Sequence, residues 1–158
     1  MFCINNDKIY AWHCNDDIDT ELFNDYGIPI YETEAEGGTI LGSPDDLDIA
    51  LVLSYDDFDE RNFYKYFNNR LATCLSAALP EHEVAVDNND ILIDGKKVMG
   101  SSIAINDDCL LYVAHISFYD FSALTKILCN KDSSKMPGCI PAELSRATLL
   151  EEIKSWFK

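Results

Sequence analysis

Strand-like and helix-like segments alternate along this chain, but several strands are joined by tight hairpins, which predicts an α+β fold with a mixed β-sheet flanked by helices. Three features carry that expectation. Asn89-Asp90-Ile91-Leu92-Ile93-Asp94-Gly95-Lys96-Lys97-Val98-Met99-Gly100-Ser101-Ser102 reads as strand, turn and strand. Its Asp94-Gly95 pair suits a type I′ turn, in which both central residues take positive φ. Phe63, Phe67, Leu71, Leu75 and Leu79 recur at helical spacing and stop before Pro80, the pattern of a long amphipathic helix. Asp48 to Ser54 is an almost continuous apolar run, as in a strand buried on both faces.

The remaining elements follow in order. Ile9–Trp12 has strand composition, and Ile18–Tyr26 a helical pattern that Gly27 closes as a left-handed cap. Ile28–Tyr31 is a strand that enters the glycine-containing loop Glu34-Ala35-Glu36-Gly37-Gly38-Thr39. Beyond the long helix, Glu83–Val86, Asp90–Ile93, Lys97–Ile105 and Leu110–Phe118 are strand candidates, the last two joined at Asn106-Asp107-Asp108. Phe121–Cys129 is a helix with Asp120 as its N-cap, Asp132–Pro141 is a loop, and Leu149, Ile153 and Phe157 mark a final helix from Thr148.

A chain of 158 residues with 47% apolar content and no internal repeat or low-complexity linker fits a single globular domain over 1–158. No apolar run approaches the roughly 18 residues of a membrane span, and Met1–Asp7 lacks the basic and apolar regions of a signal peptide. The formal charge of −16 disfavours nucleic acid and anionic membranes as partners. None of the six cysteines forms a Cys-x-x-Cys pair, so zinc is not indicated, and reduced thiols in a cytoplasmic setting are the expectation. The cysteines read as small core residues, and His115, on an alternating strand, as a packed or hydrogen-bonded histidine.

Within this acidic chain the hairpin places Lys97 on a rigid support beside Gly100-Ser101-Ser102. Small residues let a ligand approach the backbone, and a fixed ammonium suits an anionic or carbonyl oxygen. A solvated surface turn is the competing reading.

The hairpin resembles the lysine segment of lipoate–protein ligases: Asn-Asp, a short strand, then Gly-(Arg/Lys)-Lys-Ile/Val-x-Gly-Ser. Gly27-Ile28-Pro29-Ile30-Tyr31, Gly37-Gly38-Thr39-Ile40 and Pro44-Asp45-Asp46-Leu47-Asp48 are similar to that family's substrate loop, in the family's order and with a helix between. Phe118–Leu124 and the last helix extend the likeness over nearly the whole chain. The resemblance implies a biotin/lipoyl protein ligase-like catalytic domain, here without the helix that usually precedes the first strand. It also implies activation or transfer of a small carboxylic (acyl) group to an acceptor such as a carrier protein.

By position it implies Lys97 as the catalytic residue holding the carboxyl. Gly37, Gly38, Thr39, Gly100 and Ser101 would line the substrate, and Asn89 and Asp90 would meet ATP, with Asp90 on magnesium. The chain departs from the pattern where phosphates should bind. The family's arginine pair falls on Glu32 and Thr33, its first loop glycine on Glu36, its loop histidine on Gly42 and its asparagine on Asp48. Glu34 and Glu36 make the loop acidic, which argues against ATP unless a metal compensates. They instead suit an amine-bearing or basic ligand. A cysteine nucleophile in the strand before the hairpin is also lacking, since that strand is Glu83-Val84-Ala85-Val86. Three readings stay open: a divergent ligase, a non-catalytic relative that binds a ligand or partner, and an acyl- or aminoacyltransferase of changed substrate.

Overall fold

The computed structural model describes residues 8–13, 18–32, 39–54, 60–105, 109–128 and 136–157. Its elements are β1 (Tyr10–His13), α1 (Thr20–Asp25), β2 (Ile30–Glu32), β3 (Ile40–Gly42), β4 (Leu47–Ser54), α2 (Glu60–Ala78), β5 (Val84–Asp87), β6 (Asp90–Ile93), β7 (Lys96–Ile105), β8 (Cys109–Ile116), α3 (Ser122–Leu128) and α4 (Arg146–Ser155).

The strands form two sheets. A three-stranded sheet has the order β2-β1-β3, with β1 parallel to β2 and antiparallel to β3. A five-stranded sheet, β4-β8-β7-β6-β5, is antiparallel throughout. The mixed character expected from sequence therefore sits in the smaller sheet. β3 is a strand that the sequence pattern does not reveal, since three residues are too few to show a period.

Local chemistry explains the element ends. Asp19 caps α1 by accepting from Glu21 and Leu22 N–H at 3.1 and 3.2 Å. At the other end Gly27 takes φ +66°, and Ile28 N–H reaches back to Phe23 O at 3.0 Å, a Schellman-type stop. The hairpin turn between β6 and β7 has Asp94 at φ 51° and Gly95 at φ 74°, the type I′ signature. Asp120 Oδ1 accepts from Ser122 N–H at 2.8 Å where α3 begins. Ser145 caps α4 through Thr148 N–H at 3.1 Å.

One side of the large sheet makes the main core. Phe67, Leu71 and Leu75 of α2, and Leu79 just past its end, meet Ile91, Val98, Met99, Ile103, Tyr112 and Ile116, with Leu149 and Ile153 of α4. Each such side chain removed from water stabilises the fold by about 2 kcal/mol before entropy is counted. A second cluster, Ala11, Phe23, Ile28, Leu41, Phe121 and Leu128, joins the small sheet to α1 and α3.

Two expectations need correction. β4 is not buried on both faces: it is an edge strand whose burial alternates, with Val52 70% exposed. Its apolar run reflects one core face and one face of small and aliphatic residues. Phe157 lies past the end of α4 and is exposed. Among the described residues no helix is long and apolar enough to cross a membrane.

Candidate functional site

The site lies on the side of the large sheet opposite the main core, and a β-bulge determines who faces it. In the β6–β7 ladder, Ile91 opposes Met99 but Leu92 opposes Lys97, so Val98 is an extra residue in β7. Val98 and Met99 both enter the core at 1% exposure. A regular strand would put Lys97 and Gly100, three residues apart, on opposite faces. The extra residue puts them on the same one.

The Lys97 side chain then lies across Gly100. A Cβ at Gly100 would sit 3.0 Å from both Cε and Nζ of Lys97 and 3.6 Å from Asp90 Oδ1. Only glycine leaves that seat open. Lys97 Nζ ends 2.9 Å from Asp90 Oδ1; the lysine side chain is 37% exposed and the carboxylate 8%. The Lys97 backbone is held from the other side, its N–H donating to Met136 O at 2.9 Å and its carbonyl accepting from Gly138 N–H at 2.8 Å.

Register extends this pair into a row. Asp90 opposes Gly100, Gly100 opposes His115, and His115 opposes Asp48. Opposed residues of an antiparallel ladder share a face, so one polar line crosses β6, β7, β8 and β4. At its far end His115 Nδ1–H donates to Asp48 Oδ1 at 2.7 Å, and Tyr10 O–H donates to Asp48 Oδ2 at 2.8 Å. Burial works to raise the Asp48 pKa, but the hydrogen bond and charge of His115 and the Tyr10 hydroxyl outweigh it and hold the carboxyl below its ordinary range. Burial and the Asp48 charge push the Tyr10 hydroxyl far upward, so it stays protonated and donates.

Asp46 anchors this end. It accepts from Ser43 N–H at 2.7 Å, Phe118 N–H at 2.6 Å and Tyr119 N–H at 3.0 Å, and its Oδ2 lies 3.6 Å from His115 Nε2.

The other expected site residues distribute unevenly. Ser101 opposes Ala114 on the core face and is 5% exposed. Its hydroxyl donates to Asn89 O at 2.8 Å and receives Asn68 Nδ2–H at 3.2 Å. Asn68, wholly buried, also accepts from Tyr112 O–H at 2.8 Å. Asn89 Nδ2–H donates to Ser101 O at 2.7 Å. Ser101 and Asn89 thus lock the hairpin to α2 from behind and do not share the face of Lys97. Thr39 is half-buried just before β3. Glu34, Glu36, Gly37 and Gly38 lie outside the described residues. The structure brings Lys97, Gly100 and Asp90 together. It adds Tyr10, Asp48 and His115, which no local pattern singled out as a unit. His115 is packed and hydrogen-bonded, as its strand position suggests. Burial raises the Cys74 and Cys139 thiols, away from thiolate chemistry.

This architecture, a hairpin lysine on a half-covered antiparallel sheet with a small mixed sheet beside it, has the fold of lipoate–protein ligases. Over 95% of its length the chain superposes on a bipartite lipoate–protein ligase from Thermoplasma acidophilum, with TM-score 0.75, 17% identity and 66% of that chain covered. It also superposes on a lipoate–protein ligase A bound with ATP, with TM-score 0.73, 18% identity and 67% coverage. A third match is LipL1 of P. falciparum in complex with lipoate, with TM-score 0.70, 12% identity and 45% coverage. The chain spans 66% of the first of these and 45% of the last. No curated protein sequence matches it. The profile of the lipoyl protein ligase A/B catalytic domain matches residues 5–155, and the chain belongs to that family.

Proposed function

We propose that this chain activates or transfers a small carboxylic (acyl) group and that Lys97 holds the carboxyl. The observation that carries this reading is the Lys97 ammonium, seated on Gly100 beside Asp90 at one end of the polar row. The same face continues with Ser102, Ala104, Leu111, Val113 and Ala50, side chains suited to an aliphatic tail. A carboxylate at Lys97 gains a charge-assisted hydrogen bond. When the acyl group arrives activated, as in an acyl-adenylate, the same ammonium polarises its carbonyl while a neutral acceptor amine attacks; the C–N bond forms, the bond to the activating group breaks, and the amine's surplus proton passes to solvent. Asp90 acts through Lys97, fixing where the ammonium points. Relatives described with lipoate and with an E2 lipoyl domain support a small acid and a carrier protein as the two partners. A cytoplasmic setting, consistent with free Cys74, Cys109 and Cys139, belongs to the same proposal.

Magnesium fits poorly here. A metal on Asp90 would contend with an ammonium 2.9 Å from the same oxygen, and the like charges repel. Among the described residues no group of three or more His, Cys, Asp or Glu side chains suits a metal ion. The loop that the resemblance assigns to phosphates begins at Glu32, which is acidic and exposed. No step is therefore routed through nucleotide or metal.

The Lys97–Asp90 pair also favours a second reading, binding without turnover, because the ammonium already has a counter-charge. ATP–pyrophosphate exchange with lipoate or octanoate separates the two. Exchange that disappears in Lys97→Ala supports the enzyme. Octanoate binding with no exchange, and no acyl transfer from an acyl-adenylate, supports the binding protein. Octanoate affinity unchanged by Lys97→Ala removes Lys97 from the site altogether.

A further inference from the structure

At the far end of the row, three buried groups serve one half-exposed carboxylate. Asp48 has a side chain 43% exposed, yet each of its oxygens takes an internal donor, His115 Nδ1–H at 2.7 Å and Tyr10 O–H at 2.8 Å. The Tyr10 ring has its own seat: a Cβ at Gly42 would come within 2.5 Å of it. His115 is 5% exposed, and among the described residues its Nε2 has no hydrogen-bond partner, only Asp46 Oδ2 at 3.6 Å. A solvated surface aspartate needs none of this support. Groups that orient a polar atom in this way are characteristic of binding sites.

We propose that Asp48 is a recognition site for a primary ammonium group. The proposal rests on the acyl-group reading above and assigns the second reactant's place in it. With one lone-pair direction on each oxygen already used, outward-facing acceptor positions remain for a point donor. The lack of a three-ligand cluster among the described residues argues against a divalent metal. The Arg146 guanidinium, which donates to Pro44 O at 3.4 Å, helps keep Asp48 ionised, the state an ammonium partner needs.

Asp48 and Gly100 are two strands apart in the row, about 10 Å at the usual strand separation. A carboxyl at Lys97 and a nitrogen at Asp48 would lie on the same face of the sheet, with β8 between them. The ammonium belongs either to a lysine of an acceptor protein or to an amino group carried by the acid itself.

NMR titration tests this with three probes: octanoate, Nα-acetyl-lysine amide, and 4-aminobutyrate compared with butyrate. The lysine derivative is expected to shift the amide signals of 47–49 and 114–116. Its affinity relative to octanoate should fall at least tenfold in Asp48→Asn and several-fold in Tyr10→Phe, which keeps the ring on Gly42. Tighter binding of 4-aminobutyrate than butyrate assigns the amine to the acid. Binding of the lysine derivative without that preference assigns it to an acceptor. Octanoate binding with no response of 47–49 to either amine overturns the proposal and leaves the acyl reading intact, as does amine affinity unchanged in both variants. Amine binding without octanoate binding has the opposite meaning: the ammonium site stands and the acyl reading fails.

Discussion

The two ends of the polar row are built in opposite ways. At one end Lys97, Gly100 and Asp90 come from a single hairpin, and a bulge and a missing Cβ position them. At the other end Tyr10, Asp48 and His115 come from three strands in two sheets, and hydrogen bonds and a buried anchor, Asp46, position them. The first end is a property of local backbone and depends little on distant packing. The second exists only after the chain has folded. Function at the hairpin end is therefore expected to survive modest destabilisation, whereas the far end should fail together with the contact between the two sheets.

The largest expected effect lies at the far end. Asp46→Ala leaves three backbone N–H groups without their acceptor and should cost about 4 kcal/mol, read as a shifted midpoint in urea denaturation; a loss below about 1 kcal/mol would mean that Asp46 is not the anchor. Gly100→Val comes next. Its side chain takes the space of Lys97 Cε and Nζ, so octanoate affinity should drop about tenfold or more while the far-UV circular dichroism spectrum stays unchanged. If affinity holds, the seat on Gly100 is not what presents the ammonium. Tyr10→Phe removes one hydrogen bond and should cost about 1 kcal/mol in the same denaturation assay, with no effect on the hairpin.

The smallest effect probes the hairpin turn. His82 Nδ1 lies 2.7 Å from Asp94 Oδ2, and their hydrogen bond raises the His82 pKa and lowers that of Asp94. The raised histidine stabilises below its unfolded value near 6.5 and loses this as pH rises through the folded value. The lowered aspartate stabilises above about 3.9 and loses this as pH falls through its folded value. His82→Asn should therefore speed amide exchange at 93–96 most between about pH 4 and 6.5, with the difference fading at higher pH. A difference that grows above pH 8 would contradict the pairing.

These contrasts also explain what was legible in the sequence. The type I′ turn, the Gly27 stop and the α2 stripe are local rules, and each element formed close to its expected limits. The hairpin motif was legible for the same reason. Ser101 was harder, because its motif position says nothing about which face it takes after a bulge. The short β3 and the exposed face of β4 depend on what packs nearby. The Tyr10–Asp48–His115 unit joins residues 38 and 67 positions apart, and no spacing rule connects them. Gly42 offered a faint hint, since the family's histidine is missing there and the Tyr10 ring occupies the space above it.

The extra residue in β7 has a consequence for length. Substitutions at Val98 change only how well the core is filled. Deleting Val98 would leave Lys97 and Gly100 two residues apart in a regular ladder, still on one face, and would remove one buried side chain from the core. An inserted residue would push it away from Asp90. This stretch should therefore tolerate the loss of its extra residue better than a further insertion, and a lysine moved one place along it to 98 would enter the core and not restore what Lys97 does.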